Sequence, residues 1–218
     1  MRIALMAAVI ALVPAASFAQ NPGGVDVAAV AQQSASTAKQ SLSTLSALAK
    51  GENATLLGFR TTAEAEQAEL AAPLSDFIVR LDELRAWQAG KDPMSLLHAT
   101  GLIVYPVTIG GAVRSSVTLQ KQDSEWKAVS FGAPASTQAV AGARDGVTRG
   151  GVAATSTFQV RIPAFNLVFV GYLASGRLML APVLDVARFE LTKGKAVAAD
   201  ALFTRLKPLA EQDQGLPR

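Results

Sequence analysis

Residues 102–131 read LIVYPVTIGGAVRSSVTLQKQDSEWKAVSF, and this stretch carries the two-residue period of β-structure. Ile103, Tyr105, Val107 and Ile109 alternate with Leu102, Val104, Pro106 and Thr108, and Gly110-Gly111 supplies a tight hairpin turn. On the return, Val113, Ser115, Val117 and Leu119 share one face while Arg114, Ser116, Thr118 and Gln120 share the other, the pattern of an antiparallel sheet with one wet side. Lys121 to Ser124 turn the chain again and Trp126 to Phe131 make a third strand, so the stretch predicts a three-stranded meander. Pro106 cannot donate to a ladder; its strand is therefore expected at an edge or interrupted there.

Working outward, the C-terminal side repeats the strand signal. Phe158, Val160 and Ile162 alternate with Gln159 and Arg161. Phe165 to Tyr172 is apolar on both faces and reads as a central strand, and Leu178 to Val183 follow the turn Ala174-Ser175-Gly176. Phe189 and Leu191 suit a short strand. A final helix carries Ala199, Leu202, Phe203 and Leu206 on one stripe, with Pro208 expected to end it and a frayed tail from Glu211. Between the two strand groups, Ala133 to Ala143 reads as a weak helix. Gly142, Gly146, Gly150 and Gly151, among Arg144, Asp145 and Arg149, read as a junction or mobile loop.

On the N-terminal side, Asp26 is placed to cap a long helix towards Lys50, stopped by Gly51. Ala31, Ala35, Ala38, Leu42, Leu45 and Ala49 mark a narrow seam on it at heptad spacing, which packs either on its own domain or on a second copy. Thr61 and Glu64 have capping-box spacing for a second helix closed by Pro73. Leu74 to Leu81 suits a short strand with Phe77 and Val79 on one face. Two short helices follow, one capped by Asp82 with Leu84 and Trp87 inward and Gly90 as stop. The other is capped by Asp92 with Pro93 at its first position and ended by Gly101.

Met1 to Ala19 has the plan of a secretory signal peptide: Arg2, the apolar run Ile3 to Ala16, then Ser17-Phe18-Ala19. Cleavage after Ala19 would leave 199 residues and lower the formal charge from +3 to +2. No cysteine occurs, so a disulfide scaffold, a thiolate metal site and a lipid anchor on cysteine are excluded. An exported chain without cysteine is expected to be periplasmic or secreted, more at home in a bacterial periplasm than in a eukaryotic secretory pathway. The small charge excess argues against nucleic acid as partner, and no membrane anchor is expected.

Helices and meanders in this order indicate an α+β fold, antiparallel sheet covered by helices. The organisation expected is a signal peptide at 1–19, a helical segment at 20–55, an α+β half at 56–145 and a second meander plus helix at 146–218 that forms either its own half or one domain with the first. Leu57-Gly58-Phe59, Leu81, Leu96-Leu97, Tyr105-Pro106-Val107, Ser115-Ser116, Glu125-Trp126-Lys127 and Phe131-Gly132 together resemble exported bacterial domains of uncharacterised function. That resemblance spans about a third of the chain. It implies a helix followed by a curled meander, a cystatin-like arrangement, and transfers no activity.

The residues for familiar catalysis are missing. His98 is the sole histidine, placed near the expected end of a short helix, so no multi-histidine metal site exists. Ser36-Thr37-Ala38-Lys39 matches the S-x-x-K element of penicillin-binding proteins, but its companion motifs are absent. No G-x-S-x-G occurs, and the acids Asp82, Glu83, Asp92, Asp123, Glu125, Asp185 and Glu190 are scattered over caps and turns. We therefore expect no catalytic residue, no metal and no cofactor. The expected function is a non-enzymatic exported binding protein whose partner is a protein or an apolar small ligand. An envelope hydrolase using His98 or Ser36 and a homo-oligomer joined through the N-terminal helix are the alternatives. Tyr105, Trp126, Phe169 and Tyr172, on proposed strands, are the candidate ligand-binding residues, the tyrosines supplying polar handles in an apolar concavity. Protein capture would use the edge of the Pro106 strand.

Overall fold

The computed structural model describes residues 26–212. The expected signal peptide, its cleavage point and the leader at 21–24 lie outside the described residues. The architecture is α+β: one large, mostly antiparallel sheet with helices on both faces. Helix α1 (Val27–Leu48) and two single-turn helices, α2 (Asn53–Leu56) and α3 (Thr62–Ala65), lead into β1 (Glu69–Leu70) and β2 (Leu74–Ile78). After α4 (Leu81–Arg85) and a 3-10 turn at Pro93–Leu96 come β3 (His98–Ile109), β4 (Ala112–Gln122), β5 (Glu125–Phe131) and α5 (Pro134–Arg149). The second meander is β6 (Phe158–Ile162), β7 (Leu167–Ala174) and β8 (Arg177–Pro182), followed by β9 (Val197–Ala198) and α6 (Ala199–Gln212).

The strand order is β5-β4-β3-β2-β6-β7-β8-β9, with β1 pairing β3 alongside β2. Every pairing is antiparallel except β2 with β6, where Asp76, Phe77 and Ile78 lie parallel to Gln159, Val160 and Arg161. This short parallel ladder is the seam between the two meanders. The β3–β4 hairpin forms as its alternation requires, turning at Gly110 and Gly111, both at positive φ, the combination a two-residue turn of the primed type demands.

Pleat alternation sends the two sides of the sheet to different partners. Ile103, Tyr105, Val107, Val117 and Leu119 meet α1 through Ala38, Leu45 and Ala49. On the same face, Phe77, Val160, Phe169 and Leu180 pack with α4 and α6 through Leu84, Trp87, Leu202, Phe203 and Leu206. The opposite face gives Leu74, Val170, Ala181 and Val183 to α5, which contributes Val140, Ala143 and Val147. The helices that follow the two meanders therefore lie on opposite faces. β7, expected to be central and covered on both sides, is so: Phe169 faces one core and Val170 the other, both fully buried.

Several local expectations are corrected. Pro106 does not mark an edge, because β3 lies inside the sheet between β4 and β2. The missing donor is accommodated where the far side of β3 changes partner from β1 to β2, and there the Pro106 carbonyl accepts from Ala71 N at 2.8 Å. Asp82 is not a cap: α4 begins at Leu81 after Arg80, and the Asp82 carboxylate is taken by the Arg80 guanidinium at 3.1 and 3.2 Å. Asp92 does cap its turn, accepting from Met94 N, but Gly101 ends no helix and sits inside β3. Gly142 and Gly146 form no junction. They lie within α5, because Val140, Ala143, Arg144 and Val147 recur at helical spacing and their burial outweighs the low propensity of glycine. Pro208 likewise lies inside α6, which runs on through Glu211: Ala210 is fully buried and its carbonyl accepts from Arg85 Nε at 2.8 Å, holding the turn beyond the proline.

Candidate functional site

The α5 face of the sheet is not filled along its whole length. Between the first half of α5 and the strands lies a cleft of about 410 Å³, within the range of small-molecule sites. Its floor comes from alternate positions of β2, β3, β4 and β6: Asp76, Leu102, Val104, Thr118, Gln159 and Arg161. Ala133, Ser136, Ala139 and Val140 of the α5 side form one wall, and Val183, Leu184 and Val186 the other. Leu184 is 61% exposed, an apolar side chain left in solvent at the cleft.

A polar knot sits in this floor. Asp76, only 2% exposed, has each carboxylate oxygen accepting two hydrogen bonds. Oδ1 receives Gln159 Nε2 and Arg161 Nε, both at 2.8 Å, and Oδ2 receives Thr100 Oγ1 at 2.8 Å and Arg161 Nη2 at 2.5 Å. A buried carboxylate requires such partners, and four donors exhaust its lone pairs. The bond from Asp76 holds the Arg161 guanidinium above its ordinary pKa, against the opposing effect of burial, so Arg161 stays charged. Its side chain is 37% exposed, and Nη1 has no partner among the described residues. Arg161 and Asp76 are the charged side chains of the lining.

α5 begins beside the cleft without a side-chain cap. Ala133 is in the left-handed region, Pro134 opens the helix, and the first turn holds no acidic residue. Ser116 Oγ donates to the Gly132 carbonyl at 2.6 Å and Gly132 N to the Ser116 carbonyl at 3.0 Å, pinning this helix start to β4.

The four residues expected at a ligand site do not converge. Tyr105 is on the α1 face, 4% exposed, its hydroxyl bound to Ser34 Oγ at 2.8 Å and donating to the Ala31 carbonyl at 3.0 Å. Burial pushes this phenol's pKa up, so it stays neutral and serves to dock α1. Trp126 packs with the same α1 cluster from β5. Tyr172 lies on the other face, against the α5 cluster. Phe169 alone of the four borders the cleft, but its side chain is fully buried in the core with α4 and α6 on the opposite face. What sequence reasoning passed over is the pair Asp76 and Arg161. The available signal was an acid at the centre of β2, Leu-Ser-Asp-Phe-Ile, and a base on the polar side of β6, Phe-Gln-Val-Arg-Ile, charges that in a buried sheet demand a partner.

His98 opens β3 instead of closing a helix, and its Nε2 contacts the Glu83 carboxylate of α4. Ser36 and Lys39 lie on the exposed side of α1 and line no part of the cleft. Among the described residues no cluster of His, Asp and Glu suits a metal, and no helix is long and apolar enough to cross a membrane. No family model, curated protein or solved structure matches this chain.

Proposed function

We propose that the chain is an exported, non-enzymatic binding protein of the bacterial periplasm whose ligand is an apolar small molecule held in the cleft beneath α5. The observation that carries this reading is the cleft itself: about 410 Å³, apolar walls, and a small set of fixed polar groups in the floor. The signal-peptide plan of residues 1–19 supports the address. The meander β3–β5 with α1 laid across it supports a cystatin-like reading of that part of the fold. The test is native mass spectrometry of residues 20–218 isolated gently from a periplasm, for the wild type and for Ala139→Trp, which narrows the cleft. A retained small-molecule mass, lost in the variant, is the expected result. Equal retention by both, or a wild type that arrives empty and takes up no added octanoate or octanol, overturns the reading.

Protein capture by strand addition is less favoured. The Pro106 strand has no free edge, and β5, an outer strand, carries a bulge opposite Thr118 and Leu119 together with Glu125 and Lys127, devices that oppose added strands.

A further inference from the structure

We infer that the cleft selects a ligand with an apolar body and a carboxylate end, and that Arg161 receives the carboxylate; this rests on the cleft being the binding site. Asp76 is the only acidic side chain of the lining, and its four acceptor sites are already filled by Gln159, Arg161 twice, and Thr100. A ligand amine arriving there finds no free carboxylate oxygen. Arg161 is in the opposite position. Asp76 fixes its guanidinium along the Nε and Nη2 edge, which leaves both N–H groups of Nη1 and one of Nη2 unused, on a side chain that lines the cleft. The fork is therefore oriented before any ligand arrives, and a preorganised donor pair matches the two oxygens of a carboxylate.

The surroundings agree in sign. The start of α5 borders the cleft with no side-chain cap and no acidic residue in its first turn, so the positive end of the helix dipole is uncompensated on that wall. The remaining lining offers a place for the body of such a molecule: Leu102, Val104, Val140, Val168 and Val183 are aliphatic. An apolar molecule ending in an acceptor is the one shape that leaves neither the Arg161 donors nor the aliphatic walls unsatisfied.

The experiment is a calorimetric titration of residues 20–218 with three probes of one chain length, octanoate, 1-octanol and octylamine. The expected wild-type order is octanoate tightest, about tenfold over octanol, the difference between a charge-assisted and a neutral hydrogen bond, with octylamine weakest. Arg161→Gln should bring octanoate down to octanol or below. The double variant Asp76→Asn/Arg161→Gln, which leaves no unpaired buried carboxylate, should equalise octanoate and octanol while circular dichroism shows the fold retained. If the wild type binds octanol as tightly as octanoate and Ala139→Trp removes both, the cleft is the site and the carboxylate assignment is wrong. If octanoate keeps its preference in the double variant, Arg161 is not its receptor. If none of the probes binds the wild type, the cleft reading fails and this inference with it.

Discussion

Replacing Asp76 by Asn tests whether the polar knot holds the two meanders together. The carboxylate touches three strands at once: its own β2, β3 through Thr100, and β6 through Gln159 and Arg161. Asparagine keeps the volume and one acceptor oxygen, which can still receive Gln159 and Arg161 Nε. Its amide then faces Arg161 Nη2, donor against donor. Thr100 can turn to the Asp76 carbonyl, already at 3.0 Å, so the loss centres on Arg161. Removing one partner of a fully buried ion pair costs about 3–5 kcal/mol. Arg161 is 37% exposed, so water takes up part of its charge, and we expect a loss of about 2–3 kcal/mol, or about 4–12 °C in Tm for a chain of this size. Urea unfolding followed by circular dichroism reads it as a lower midpoint at unchanged slope. Asp76→Leu/Arg161→Met, an apolar replacement of the pair, should recover most of the loss. An Asp76→Asn protein within about 0.5 kcal/mol of wild type would refute the reasoning, because the pair would then be solvated and the seam held by β2–β6 hydrogen bonds and packing alone.

Three further outcomes follow from single contacts. Tyr105→Phe leaves Ser34 its bond to Val30 O but removes the hydroxyl that joins α1 to β3, for an expected loss of about 1–2 kcal/mol by denaturation; full additivity with Ser34→Ala would show the two hydroxyls are uncoupled. Gly171→Ala would place a Cβ 2.5 Å from the Phe158 ring, which packs edge-on to Phe77 at 5.3 Å, so a loss of about 1–3 kcal/mol and displaced Phe158 ring resonances are expected, and an unchanged spectrum would contradict the close approach. The Arg60 backbone N–H, with the Arg60 guanidinium, holds the Glu64 carboxyl below its ordinary pKa. The stability it adds is present above the ordinary value of about 4.5 and is lost as the pH falls through the lowered one, so Glu64→Gln should flatten that acid limb in unfolding measured against pH.

How much of this was legible in the sequence differs by kind of feature. The hairpin at 102–120 was readable because local alternation, the two glycines and half-burial all point to one structure. Capping by Thr61 and Asp92 was readable too, since both contacts close within three residues. Pro106 and Pro208 misled because long-range contacts keep the chain regular around each: Ala71 N donates to the Pro106 carbonyl where β3 changes partner, and Arg85 Nε donates to the carbonyl of the buried Ala210 beyond Pro208. The extent of α5 was hidden for a similar reason, as its glycines are outvoted by a stripe that matters only once the sheet is behind it. The site was the least legible part. Tyr105 and Tyr172 are on opposite faces of one sheet, a relation set by the pairing that joins distant strands, and the Asp76–Arg161 pair spans 85 positions across a parallel register that no local pattern encodes.

The central claim, that the cleft under α5 is where this protein binds, is tested most directly by titrating octanoate into isotopically labelled residues 20–218 and following backbone amide shifts. The account expects saturable shifts confined to residues 133–140, 159–161 and 183–186, with α1 unmoved. Shifts centred on α1 and Tyr105, or none at all with the fold intact, would contradict it.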